Sequence, residues 1–168
     1  MSNERKYIVT KEIADKKLRR IALELVERNY DEPQLVLIGI KENGMVIAAK
    51  IAAYLQGSFK GEVIVTALSL DKKQPAGIRI EPVIDFNNKV VVLIDDVANS
   101  GRTMLYSLQP LLKAYPKKIQ TAALVERTHK SFPIALDYVG LSISTTLDEH
   151  IYVEVEGGEV LGAWVEVR

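Results

Sequence analysis

The chain has 168 residues, no cysteine, and 22 basic against 22 acidic side chains, for a formal net charge of zero. That length is most simply one domain, able to bury about two-thirds of its unfolded surface without a covalent staple. Disulfides and thiolate metal sites are excluded, nothing global draws the chain toward nucleic acid, and the composition suits a reducing compartment. The amino-terminal MSNERKYIVT lacks the apolar core of a signal peptide and no apolar run approaches bilayer length, so a cytoplasmic protein without membrane partners is expected.

From Lys11 to Arg28 the residues Ile13, Ala14, Leu18, Ile21, Ala22, Leu25 and Val26 recur at helical spacing, with Thr10 available as an N-cap. Pro33 closes the following turn, and Leu35 to Ile40 is a short apolar run of buried-strand type. Gly44 opens a second helix, MVIAAKIAAYL, and Glu62 to Leu70 is the next strand. Asp71 to Gly77, DKKQPAG, is the expected mobile loop. Val90 to Ile94 is a strand apolar at every position, and a helix runs from Arg102 to about Ala114, kinked or shortened by Pro110. Ile119 to Val125 is a further strand, whereas 137–145, 151–156 and 163–167 alternate apolar and polar residues like short edge strands. Strand alternating with helix is the pattern of an α/β fold with a mainly parallel sheet covered on both faces.

The densest chemistry lies at 89–103, KVVVLIDDVANSGRT. Asp95 and Asp96 are expected to emerge together at the carboxyl end of the apolar strand, where open α/β sheets bind ligands. Ala98, Asn99, Ser100, Gly101, Arg102 and Thr103 join small side chains, hydroxyls and one permissive glycine ahead of a helix, a combination that can cradle a phosphate monoester with backbone N–H groups. The acids could bind a vicinal diol or hold a hard cation through its waters. Together these describe a phosphorylated ribose. GIKENGM, at 39–45, is not a nucleotide-binding Walker loop, because Met45 follows its second glycine.

The 89–103 string resembles the phosphoribosyl-diphosphate motif of type I phosphoribosyltransferases: apolar residues, two acids, then a hydroxyl-glycine-cation-threonine ending. GIKENG at 39–44, ALVERTHKSFPIALDYVGLSIST at 123–145 and HIYVEVE at 150–156 resemble, in order and spacing, the bacterial pyrimidine operon attenuator/uracil phosphoribosyltransferase family from Thr10 onward. The resemblance implies a type I phosphoribosyltransferase fold in a single domain over 1–168, with a small hood built mainly from 126–168 and a contribution from the amino terminus. It implies transfer of ribose 5-phosphate from phosphoribosyl diphosphate to a nucleobase, uracil foremost, with Mg2+ as cofactor and dimers or larger assemblies. RNA is the alternative partner, disfavoured by the zero net charge.

By position, the resemblance gives the catalytic set Asp95, Asp96 and Lys41, with both aspartates also meeting metal through water. Residues Ala98 to Thr103 would wrap the 5′-phosphate. Ile40, Lys41, Glu42, Asn43 and Gly44 would form the pyrophosphate loop, with a non-proline cis peptide at Ile40–Lys41. Tyr138 and Val139 would meet the base, although Tyr138 reads equally well as a core residue of an edge strand. Purine enzymes of this type place an acid where Asn99 stands and, for 6-oxopurines, a lysine where Glu126 stands, so both positions favour a pyrimidine. Two cations of the family pattern are replaced, by Asn43 and Ser69; Lys41, Lys72, Lys73 or Arg79 could supply their charge. Arg127, His129 and Lys130 could contribute to an RNA-binding surface, and no general base is evident.

Overall fold

The computed structural model describes residues 5–167, so the outermost parts of the expected 1–168 domain, residues 1–4 and 168, lie outside the described residues. In chain order the elements are β1 (Lys6–Thr10), α1 (Lys11–Asn29), β2 (Gln34–Ile40), α2 (Asn43–Leu55), β3 (Glu62–Ser69), β4 (Arg79–Glu81), β5 (Val90–Ala98), α3 (Arg102–Ser107), α4 (Gln109–Leu112), β6 (Lys118–Arg127), β7 (Tyr138–Ile143), β8 (Glu149–Glu156) and β9 (Glu159–Val167). Six strands form one sheet in the order β4-β3-β2-β5-β6-β7, parallel except for β4, which runs antiparallel along β3. The remaining three form an antiparallel sheet in the order β1-β9-β8.

The middle residues of β2 and β5, Leu35–Ile38 and Val90–Ile94, are all apolar because both faces of the sheet are covered there. Leu35 and Leu37 of β2, with Val90, Val92 and Ile94 of β5, pack against Leu18, Ile21 and Leu25 of α1 and Ile47 and Ile51 of α2. The alternate residues Val36, Ile38, Val91 and Leu93 join Met104 and Leu111 on the opposite face. Side chains alternate along a strand, so a sheet buried on both sides needs both sets apolar. Thr10 caps α1 by accepting the Ile13 N–H at 3.2 Å. The helix expected to run to about Ala114 is interrupted at Leu108, and α4 restarts with Pro110 in its first turn, where a missing N–H is tolerated. Among the described residues no helix is long and apolar enough to cross a membrane.

The residues expected to build most of the hood divide between the two sheets. Residues through Ile143 remain in the six-stranded sheet, and the second sheet takes β8 and β9 and recruits β1 from the amino terminus. The cause is the fit of β7 on β6: a Cβ at Gly140 would lie 2.4 Å from the Leu124 carbonyl oxygen, so glycine lets the two strands lie flush. Helix α1 then secures β7, with the Arg20 guanidinium donating to the Val139 and Gly140 carbonyls at 2.9 and 3.1 Å.

Tyr138 and Val139 therefore do not form a base-stacking wall. Tyr138 has 0% exposure, and its hydroxyl donates to Gln120 Oε1 at 2.9 Å, an oxygen that also accepts from Asn29 Nδ2 at 3.0 Å. The Arg28 guanidinium lies 4.8 Å from the ring centroid, and burial raises the Tyr138 pKa. The Val139 carbonyl is taken by Arg20. Removing one partner of a buried hydrogen bond costs about 1 kcal/mol. Tyr138→Phe is accordingly expected to lower the melting temperature by about 2–4 °C. An unchanged thermal midpoint by calorimetry would show that this hydroxyl is not a structural group.

Candidate functional site

Asp95 and Asp96 lie within β5 rather than beyond it, because pairing with β6 continues as far as Ala98 opposite Glu126. Both carboxylates lie near the start of α2 but take different partners. Asp95 is 1% exposed and shares a cavity with Lys72 and the 98–103 loop; its Oδ1 is 3.5 Å from Lys72 Nζ and accepts the Asp96 N–H at 2.9 Å. Asp96 turns toward α2 and the second sheet. Its Oδ2 accepts from Asn43 Nδ2 at 3.0 Å and its Oδ1 from the Val97 N–H at 2.8 Å.

The loop after β5 is shaped at Gly101, where φ is +89° and an added Cβ would lie 2.6 Å from the Ile134 side chain. Both the backbone angle and the lack of space call for glycine. The β6–β7 connection braces the outside of this loop, the Ser100 carbonyl accepting the Ser131 and Phe132 N–H groups at 2.9 and 3.1 Å. The Arg102 guanidinium lies 5.3 Å from the Phe132 ring centroid. These bracing residues carry no local sequence signal, since their role exists only once β6 and β7 are paired. Arg102 opens α3, with Thr103 next, and the Gly101 carbonyl accepts the Leu105 N–H at 3.0 Å.

The 40–44 segment meets β5 from the other side. Ile40 is buried at the end of β2, while the Lys41 N–H bonds to the Leu68 carbonyl at 2.8 Å and extends the ladder by one residue. The chain turns after Lys41, and the cis peptide lies at Lys41–Glu42, one position beyond the expected Ile40–Lys41. Lys41 and Glu42 are exposed. Gly44 is buried with its Cα against β5, where a Cβ would be 2.7 Å from the Ile94 oxygen and 3.5 Å from Asp95 Oδ1. Asn43, besides holding Asp96, donates to the Val153 carbonyl of β8 at 3.0 Å.

Other candidates are committed elsewhere. Glu126 accepts from Lys130 Nζ at 3.1 Å and from the Ser142 hydroxyl at 2.8 Å, so both its oxygens have partners. Arg127 donates to the Thr146 carbonyl at 3.1 Å and Lys130 to the Arg127 carbonyl at 2.9 Å, which draws two of the three residues considered for RNA into the fold. Of the cations considered as replacements, the structure brings Lys72 to Asp95 and pairs Arg79 with Ser69 across β3 and β4. Among the described residues no group of three or more metal-ligating side chains is assembled.

A family model of the phosphoribosyl transferase domain matches residues 8–156. The bifunctional protein PyrR of Ligilactobacillus salivarius is 37% identical over 151 residues, covering 83% of this chain and 85% of that protein. The pyrimidine operon regulatory protein of Lactococcus lactis is 37% identical over 156 residues, covering 90% of each. In architecture, the chain is similar to a hypoxanthine phosphoribosyltransferase of Trypanosoma cruzi, with a TM-score of 0.78, 15% identity and 96% of both chains covered. A hypoxanthine-guanine phosphoribosyltransferase of Bacillus anthracis gives 0.75 at 19% identity over all of both chains.

Burial, and then the neighbouring Asp96, push the Asp95 pKa well above its ordinary 3.8, with Lys72 opposing. A folded-state pKa above the unfolded one means that the folded protein binds this proton more tightly, so ionised Asp95 destabilises the fold as pH rises through the raised value. In magnesium-free buffer near neutral pH, Asp95→Asn is expected to melt about 2–5 °C higher than wild type. The gap should close toward about pH 4, where the unfolded chain also becomes protonated. A lower melting point for the variant at neutral pH would contradict this account of the site.

Proposed function

The chain belongs to the phosphoribosyl transferase family, and we propose that it transfers ribose 5-phosphate from phosphoribosyl diphosphate to a nucleobase, with uracil preferred and UMP and pyrophosphate as products. The observation that carries this reading is the meeting, at the end of β5, of the Gly101 loop beside Asp95 with the start of α2 beside Asp96. In this reading one domain suffices, and the 5′-phosphate sits against the backbone of 98–103 while the two acids accept from the ribose hydroxyls. The phosphate anchors the sugar at its non-reacting end, making orientation part of the rate.

As the C1–oxygen bond to pyrophosphate breaks and the nitrogen–C1 bond forms, positive charge grows on the sugar and negative charge on the leaving group. Ionised Asp95 and Asp96 favour the first, and donors of the 40–44 loop favour the second. The acids also fit magnesium of the kind that keeps most of its waters and enters with the diphosphate, since such an ion needs only one or two protein carboxylates. Magnesium bound there would neutralise the departing pyrophosphate. Closure of 70–78 would exclude water, and Lys72 is the cation this loop already carries to the site.

The base preference rests on two groups. Asn99 cannot act as a general base at neutral pH, and Glu126, held as an acceptor by Lys130 and Ser142, has no donor to offer a purine oxygen. With Tyr138 and Val139 removed from the base, the wall left on the Asp96 side is β8, whose Val153 carbonyl meets Asn43 there. Mixing the protein, magnesium and phosphoribosyl diphosphate with each free base should release pyrophosphate, fastest with uracil. Binding of phosphoribosyl diphosphate without release for any base would reduce the chain to a binding module. Assembly into a homodimer or larger oligomer belongs to the same proposal.

A second reading, control of a pyrimidine operon through RNA, is favoured by the name of the Lactococcus relative. Filter binding of pyrimidine-operon leader RNA at about 50 and 200 mM salt should then show affinity falling steeply, as phosphate contacts require. No retention at the lower concentration would remove that reading.

A further inference from the structure

We propose that Asn43 is a positioning residue, which fixes the Asp96 carboxylate and ties it to the second sheet, and that it is not a ligand of the pyrophosphate. A side-chain amide nitrogen carries two hydrogens. Here both have acceptors, Asp96 Oδ2 at 3.0 Å and the Val153 carbonyl at 3.0 Å. The other Asp96 oxygen takes the Val97 N–H at 2.8 Å, so the carboxylate is held at both oxygens. Hydrogen bonds to a charged acceptor are stronger than neutral ones.

The third corner of this arrangement is equally constrained. Among the described residues strand β8 is an edge of the second sheet, paired with β9 on one side, and the Ile151 and Val153 side chains are buried in the main core. The Val153 carbonyl is therefore a fixed acceptor rather than a loop group that moves to suit its partner. Asn43 itself is fixed by Gly44, which sits so close to Ile94 that even a methyl group is excluded.

An amide also leaves the charge of Asp96 intact. A cation in this place would neutralise part of the carboxylate that the sugar must meet, whereas an uncharged donor orients it and leaves its full negative charge to face a growing positive centre. Asn43 thus supplies geometry where the resembling family carries charge.

Two measurements separate this role from the alternatives, and only the second rests on the phosphoribosyl-transfer reading. In ligand-free protein, Asn43→Ala should speed hydrogen exchange of the amides of 151–155 several-fold, with β5 and β6 unchanged. Unaltered exchange in β8 would overturn the tie between the sheets. In steady-state kinetics, Asn43→Ala should lower kcat about 10- to 100-fold, the range expected of a misplacement near 1 Å, while KM for phosphoribosyl diphosphate moves less than about threefold. Asn43→Asp keeps the shape but loses the donor, so it should fall at least as far as alanine. A near-normal Asn43→Asp enzyme, or a large rise in KM with kcat preserved, would overturn the positioning role, the latter by making Asn43 a substrate ligand. Wild-type protein inactive with every base would defeat the transfer reading alone, because the exchange measurement still reports on the tie.

Discussion

The continuation of β5 through its two acids governs the arrangement around it. Because the ladder with β6 holds as far as Ala98, the backbone of Asp95 and Asp96 is extended, and their carboxylates take different partners, Lys72 for one and Asn43 for the other. One acid is given to the cavity beneath the Gly101 loop and the other to the space between α2 and the second sheet.

Each carboxylate then needs its own support. On the Asp95 side the Gly101 loop is gripped from outside by the β6–β7 connection, through the two amides on the Ser100 carbonyl. Between these two segments lie α3, α4 and all of β6, so the contact forms only once β6 has paired with β5. On the Asp96 side the second sheet plays the corresponding part, with β8 presenting a carbonyl to Asn43. The site therefore depends on pairings at both ends of the chain, since β1 completes the sheet that holds β8.

These facts explain what was readable in the sequence. The α1, β2, α2 and β3 segments declared themselves through local period and flanking turns, and the 89–103 string through the coincidence of strand, acids and glycine loop. The reach of β5 past its acids was not visible, because Asp is a poor strand former and only the partner strand keeps it extended. Tyr138 was ambiguous for a related reason. Its burial is decided by Gln120, 18 residues away, and through it by Asn29, 91 residues from Gln120, and nothing in DYVGL distinguishes that network from an exposed ring. The division of the carboxyl-terminal strands between two sheets was not visible because β7 alternates much as β8 does; what separates them is Gly140 lying flush on Leu124, a contact across strands.

The same distinction bears on the two replaced cations, at Asn43 and Ser69. Charge can be restored from anywhere within reach, and Lys72 arrives from a connection that a position-by-position comparison would pass over. Its bond to Asp95 pairs a half-exposed cation with a nearly inaccessible carboxylate, side-chain exposures of 47% and 2%. Such a cation is held by attraction to one group and can follow a ligand that offers more negative charge. Asn43 is the opposite case, held by two acceptors whose positions are set by the sheets, so it cannot follow anything without breaking a bond. A site that divides these duties has one movable charge on the Asp95 side and one fixed orientation on the Asp96 side, which is the division a reaction needs when its leaving group must depart while its sugar stays in place.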